Sequence, residues 1–145
     1  MQRLTAEGHA AQARPVKVLQ YGEGNFLRAF VEPMLDAANE QGRFDGSVVL
    51  VKPIPFGTLD AFHEQDCRYT VILRGLENGQ KVEKNRLITC VSGAVDAYTE
   101  YERYAAYAKL DSLRFIVSNT TEAGIVLDEN DRLDMTPPNS YPGKL

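Results

Sequence analysis

Apolar residues recur along this chain in short unbroken runs. Val16 to Tyr21 ("VKVLQY"), Ser47 to Val51 ("SVVLV") and Leu113 to Asn119 ("LRFIVSN") are apolar over most of their length. Such runs, with little polar alternation, predict strands covered on both faces, as in a parallel sheet. Between the first two runs the period changes. In "NFLRAFVEPMLDAANEQG", Phe26, Phe30, Met34 and Ala37 recur at spacings of four, four and three and line one helical face, with Gly42 as a C-terminal stop. Pro33 interrupts this pattern, because a proline in a helix interior costs ~3 kcal/mol. Two solutions are open: a kinked helix from Asn25, or a later helix with Pro33 in its first turn. Only the first places a helix N-terminus next to Gly22 and Gly24.

Further along, Pro53, Pro55 and Gly57 break the chain, and Arg68 to Gly75 ("RYTVILRG") reads as a third strand. Asn78-Gly79 is a hairpin turn signal, with "KVEK" and Arg86 to Val91 ("RLITCV") supplying the return, so an antiparallel piece interrupts the parallel pattern. A helix is predicted over Asp96 to Leu110, capped by Asp96 and with Lys109 in its last turn. Its Tyr98, Tyr101, Tyr104 and Tyr107 form either a base-stacking row or a half-buried face. Residues 1–14 read as a polar lead-in. The stretch from Asp128 onward reads as polar, proline-rich and without a core of its own.

Composition narrows the function. The chain has 145 residues, a net charge of -4 and 25% charged residues. That balance, with no basic run, argues against a nucleic-acid partner and favours the half-buried reading of the tyrosines. No apolar run reaches the ~18 residues of a membrane span. Cys67 and Cys90 lie far apart in sequence and read as free buried thiols of a cytoplasmic protein. Two histidines in the whole chain make a His-based metal site improbable, and none is expected; His63 reads as a loop or surface residue.

Strands alternating with helices predict an open α/β sheet, with ligands beyond the carboxyl ends of the strands. Three loops fall there: Tyr21 to Asn25, Lys52 to Gly57 and Asn119 to Gly124. The first carries G-x-G between a strand and a helix. Glycines at these positions let an anionic pyrophosphate reach backbone N–H groups at the positive end of the helix. The same pair also suits a plain turn, and position 27, where a third glycine would complete the dinucleotide fingerprint, is Leu27. The acid usually found ~20 residues past the loop for the adenine ribose is replaced by Lys52, with Pro53 next. A base there would tolerate a 2′-phosphate, so the cofactor stays open at this level. Arg28 either contacts a phosphate or pairs with Glu32 one turn on. Glu122 follows a strand end at the ligand-facing edge.

Several segments together carry a resemblance. "VLQYGEGNFLRAF", "SVVLVKPI", "EQDCRYTVILRG", "RFIVSNTTEAGI" and "SYPGKL" resemble the tagaturonate reductases (altronate oxidoreductases), a branch of the mannitol dehydrogenase family of polyol dehydrogenases. The likeness runs from about Pro15 to Leu145. It implies an α/β, Rossmann-like open, mostly parallel sheet with helices on both faces and an antiparallel hairpin insertion, over 15–145. It also implies a following helical substrate domain, absent here, that would carry the catalytic lysine. No catalytic residue is therefore expected in this chain, and these 145 residues are expected to be inactive by themselves. The implied activity is metal-free reduction of D-tagaturonate to D-altronate, with NAD as cofactor and a sugar acid as substrate. Gln20, Gly22, Glu23, Gly24, Asn25, Phe26 and Arg28 would form the cofactor loop, and Lys52 and Pro53 would lie near the adenosine. Ser118, Asn119, Thr120, Thr121 and Glu122 would lie near the nicotinamide ribose. The alternatives are a binding-only or inert module and another branch of the family, acting on mannitol or fructuronate. Two departures stand out: Cys67-Arg68 replaces a Gly-Leu of the family at a tight turn, and Pro33 replaces a helical residue.

Overall fold

The computed structural model describes residues 13–145, which leaves nearly all of the expected N-terminal lead-in outside it. In chain order the elements are β1 (Val16–Tyr21), α1 (Asn25–Glu40), β2 (Ser47–Lys52), α2 (Asp60–Glu64), β3 (Tyr69–Glu77), β4 (Gln80–Ile88), β5 (Val91–Asp96), α3 (Tyr101–Tyr107), β6 (Phe115–Ser118), a 3-10 turn (Glu122–Ile125) and α4 (Tyr141–Lys144). Four strands make a parallel sheet in the order β5-β2-β1-β6, while β3 and β4 pair as a separate antiparallel hairpin. From β1 the chain steps outward to β2 and β5, then crosses back to lay β6 on the other side of β1. The direction reverses between β1 and β6, which opens a crevice at their carboxyl ends.

Both faces are covered over β1 and β2, as their unbroken apolar runs predict, but not over β6, an edge strand with a neighbour on one side only, where Phe115 and Ile116 are about half exposed. Val18, Val48, Leu50, Val91 and Ala94 face α1, α2 and the root of the hairpin, joined by Leu59, Cys67, Val71, Ile88 and Cys90. Leu19, Tyr21, Val49, Val51 and Val95 face α3, where Tyr104 is buried and Tyr101 and Tyr107 pack alongside. The tyrosine row is thus a half-buried helix face. Both cysteines are free and buried.

Helix α1 starts at Asn25 and runs through Pro33. The proline removes the N–H that would bond the carbonyl of Ala29. Ala29 lies on the exposed side of the helix, where the lost bond costs least. The apolar row of α1 points outward: Phe26, Phe30 and Met34 are more than half exposed, and the first two rings stack on each other. The buried residues are Leu27, Glu32, Asp36 and Asn39. The polar ones act as pins. Asn39 bonds both ways with the Gly46 backbone at 2.8 and 3.0 Å, and Asp36 accepts from the Thr89 amide and hydroxyl at 3.2 and 3.1 Å.

Other expectations need correction. Val91 does not close the hairpin; it opens β5, a parallel strand hidden in the sequence by Ser92 and Gly93. Ser92 donates to the Ser47 hydroxyl at 2.9 Å, and a side chain at Gly93 would meet Arg103, Tyr107 and Val49. Asp96 ends β5 and does not cap a helix, which starts only at Tyr101 and stops at Tyr107, short of Lys109. Asp96 accepts instead from the Tyr98 amide at 2.8 Å and Glu100 accepts from the Asp96 amide at 3.1 Å, so the two acids build the turn before α3. His63 lies on α2 and is exposed. The turn at Cys67 persists without glycine, with Asp66 and Cys67 at φ of 52° and 57°. Finally, the C-terminal stretch is docked. Asp131 accepts from the amides of Asn139 and Ser140, Tyr141 packs edge-on to Tyr21, and the buried Lys144 donates to the Asn139 carbonyl at 2.6 Å.

Candidate functional site

Tyr21, Val51 and Ser118 lie level with one another in three adjacent strands, so the loops that follow leave the same edge of the sheet. The loop after β1 is shaped by its glycines. Gly22 has a φ of 102°, a region L side chains avoid, and its N–H donates to the Val51 carbonyl at 2.9 Å. Gly24 is the N-cap of α1, with extended backbone and no side-chain cap bond. The N–H groups of Asn25, Phe26 and Leu27 therefore open onto the loop with no side chain capping them. A Cβ on Gly24 would meet nothing within 4 Å, so the space beside the cap residue itself is open. A 16-residue helix behind them adds its positive end, and no acid sits in the first turn to cancel it. Donors without side-chain partners, a bare backbone and open space fit a diphosphate.

Arg28 stands beside this loop. Its guanidinium lies 5.1 and 5.3 Å from the ring centres of Phe62 and Tyr69 and donates to Asn25 Oδ1. A cleft of about 260 Å³ opens there between Asn25, Arg28 and the start of β3. Two larger hollows, of about 330 and 600 Å³, flank the exposed hairpin around Leu73 and Leu76, away from the carboxyl edge. The loop after β6 closes over Gly22, where an added Cβ would stand 3.7 Å from Asn119 Oδ1. Ser118 and Thr120 hydroxyls bond at 2.6 Å, and the Thr120 amide donates to Ser118 Oγ at 3.0 Å. Thr121 precedes the 3-10 turn, and Glu122 in its first position is exposed.

Gly22, Glu23, Gly24, Asn25, Phe26, Arg28 and Asn119 thus gather at the crevice between β1 and β6. Gln20 and Lys52 belong to the same edge but point inward. Gln20 is fully buried beneath the loop, and its Nε2 donates to the Gly22 carbonyl at 3.1 Å. Lys52 is 1% exposed; its ammonium sits 2.9 Å from Asp96 and donates to the carbonyls of Ile54 and Phe56 at 2.7 and 3.3 Å. Partial burial works against the Asp96 charge, yet the Lys52 hydrogen bond, helped by the Tyr98 amide, holds its carboxyl below the usual range. Pro53 follows and starts the loop.

Two groups near this edge, Asp96 partly buried and Glu32 fully buried, were not read from the pattern as supports of the site. Asp96 is Lys52's partner, and only the unrecognised strand β5 could have placed it. Glu32 is fully buried, and burial pushes its carboxyl up to about 7, partly offset by Gln20 and Arg28 and reinforced by Asp36. The Tyr69 hydroxyl donates to Glu32 Oε2, while Oε1 has no partner. Its spacing from Asp36 and Asn39 on α1 was the available signal.

Comparison with known proteins fits this arrangement. Residues 16–143 match the family described as the mannitol dehydrogenase Rossmann domain. The chain belongs to that family. As a mannitol dehydrogenase Rossmann domain it is similar to an altronate oxidoreductase of Bacillus subtilis (strain 168), at 45% identity over 90% of this chain and 27% of that protein. An altronate oxidoreductase of Phocaeicola vulgatus is 44% identical over 100% of this chain and 30% of its own length. The domain therefore spans under a third of these relatives. Its fold superposes on Pseudomonas fluorescens mannitol 2-dehydrogenase, solved as a ternary complex with NAD and D-mannitol, with a TM-score of 0.70 at 20% identity over 80% of this chain and 24% of that one. A D-sorbitol dehydrogenase gives 0.66 at 20% identity over 81% and 24%. Among the described residues no helix is long and apolar enough to cross a membrane.

Proposed function

We propose that this chain is the dinucleotide-binding part of an NAD(H)-dependent oxidoreductase that reduces a keto sugar acid, D-tagaturonate to D-altronate. The observation that carries this reading is the helix N-terminus without a side-chain cap at Gly24–Asn25, behind a glycine held at positive φ. Amides of Asn25, Phe26 and Leu27 would hold the pyrophosphate, with the Arg28 guanidinium at its flank. Asn119 and the Ser118–Thr120 turn would border the nicotinamide ribose, with Thr121 and Glu122 toward the open side. Bound there, a nicotinamide dinucleotide supplies the hydride.

Lys52 bears on the cofactor's form. Its ammonium is spent on Asp96 and two carbonyls, which leaves no free cation there for a 2′-phosphate and favours NAD(H) over NADP(H). Lys52 and Pro53 would shape the adenosine end through the backbone they fix. The sugar-acid substrate follows from the altronate oxidoreductase relatives and not from any pocket in this chain. Free buried thiols at Cys67 and Cys90 agree with a cytoplasmic protein.

Titrating NADH into the protein and following its fluorescence tests the reading. Saturable binding is expected, with NADPH weaker. No saturation up to about 1 mM would overturn it. NADPH binding as tight as NADH would overturn the cofactor preference.

A further inference from the structure

Beneath the glycine loop lies a polar relay that no ligand could touch. The Gln20 amide donates to the Gly22 carbonyl at 3.1 Å, and the Gln20 side chain lies beside Glu32. Tyr69 reaches in from β3. Its hydroxyl contacts Glu32 Oε2 and the Arg28 carbonyl in the first turns of α1, the latter at 2.9 Å. Gln20 and Glu32 are both 0% exposed, and each keeps one oxygen, Oε1, without any hydrogen-bond partner. Two buried acceptors left open on neighbouring side chains are costly, and a proton on Glu32 Oε1 would supply the donor that the pair lacks.

We propose that Glu32 is a positioning residue for the dinucleotide loop and acts in its protonated form, its Oε1–H donating to Gln20 Oε1 and so holding Gln20 Nε2 on the Gly22 carbonyl. This rests on the cofactor reading above and deepens it. When the proton leaves, the carboxylate has acceptors only, and the amide of Gln20 must turn its NH₂ toward Glu32. Gly22 then loses its anchor, the loop that presents the α1 amides loosens, and a negative charge appears behind the diphosphate site. Each change weakens anion binding, so affinity falls as pH rises through neutrality.

The surroundings set where this occurs. From α1 itself, Arg28 favours the charged form and Asp36 opposes it; from β1, the Gln20 amide favours it when its NH₂ faces the carboxylate. Tyr69 on β3 donates to either form. The two thiols are neutral near pH 7: burial pushes Cys67, which precedes β3, up to about 11, and raises Cys90, which precedes β5, further. Arg86 on β4 engages Asp36 and Glu40, and Arg68 engages Asp66. Burial is the largest influence and lifts the carboxyl to about 7.

Two measurements on the whole chain test this. In the first, NADH dissociation constants are compared at about pH 6 and about pH 8.5; a roughly fivefold weakening is expected in the native protein. Glu32→Gln is isosteric with the neutral acid and carries a permanent donor, so it should bind like the native protein at the lower pH and lose the pH dependence. A Glu32→Gln protein that binds poorly at both pH values, or keeps the native pH dependence, would overturn the proposal. In the second, NMR of the ligand-free chain follows the Glu32 carboxyl carbon and the Gln20 side-chain NH₂. Both are expected to move with one shared midpoint near neutrality. A Gln20 amide indifferent to the Glu32 titration would overturn the relay without bearing on the cofactor. A shared titration with no NADH binding at any pH would instead overturn the cofactor reading.

Discussion

After β1 the chain turns through two glycines into a helix without a side-chain cap; after β2, one strand over, it turns through prolines around a buried lysine. Both loops leave the carboxyl edge of the same sheet. In the first, the backbone donors have no side chain to cap them, and the space beside the cap residue is open. In the second, the charge is fully engaged by Asp96 and two carbonyls. A binding loop keeps unspent polar capacity, whereas a structural loop spends its own. By that measure the first loop suits the anion site proposed for it, and the second is built to stay folded.

Breaking the second loop should have the largest effect on stability. Lys52→Met removes the cation from a buried pair and leaves Asp96 and two carbonyls without it. A loss of about 3 kcal/mol is expected, because breaking one side of such a pair strands the other. Urea unfolding measures it. If Lys52 instead served mainly to grip the cofactor, Lys52→Met would melt normally and lose only NADH affinity.

The two loops should also answer pH in opposite directions. Beneath the first, the Glu32 carboxyl is raised to about 7 from an ordinary carboxylate value. The folded state therefore holds a proton that the unfolded chain has already lost, and stability falls as pH rises from about 4 through 7, by on the order of 3 kcal/mol. At the second, Asp96 is lowered, as is Glu100 beside it, so their contribution is present above the ordinary carboxylate range and lost on acidification. Thermal melts across pH should peak near about pH 5. Glu32→Gln should remove the decline on the alkaline side while leaving the acid limb; a decline that survives the substitution would assign it to another group.

The first loop can be blocked without disturbing the fold. Gly24 has a φ of -68°, which any residue adopts, and an added Cβ would contact nothing. Gly24→Val should stay folded and melt a few degrees lower, because valine is a poorer N-cap than glycine, yet bind NADH at least roughly tenfold more weakly, about 1.4 kcal/mol. Native affinity in that variant would mean the ligand does not approach this backbone.

The sequence makes the first loop legible and the second nearly opaque, for a physical reason. The glycine pair and the period change from strand to helix are local, and β1 and the loop follow from them, together with one of the two starts left open for α1, the one that runs through Pro33. Lys52 is partnered by a residue more than forty positions on, at the end of a strand whose Ser92 and Gly93 hide it. Pattern reading also equates apolar with inward. On α1 that equation fails: Phe26, Phe30 and Met34 face out, while Glu32, Asp36 and Asn39 are buried against fixed partners on β3, the β4–β5 link and the loop before β2, with Glu32 Oε1 left open. The docking of Tyr141 and Lys144 escaped for the same reason, since Asp131 and backbone carbonyls hold that segment without an apolar run to announce it.

The smallest expected change is also the sharpest probe of the comparison. Gly24→Asp would give the first loop what the second already has, an internal partner for its polar groups. The new carboxylate would accept from the Phe26 or Leu27 amide and sit at the positive end of α1. A gain of only a few tenths of a kcal/mol in stability is expected, because glycine is itself a tolerable N-cap. The same carboxylate would occupy the amides a diphosphate needs and repel its charge, so NADH binding should vanish while the melt improves slightly. If the melt rises and binding persists, the first-turn amides are not the anion site. If the melt falls, the helix start is already satisfied by other means, and the difference between the two loops is not one of spent and unspent donors.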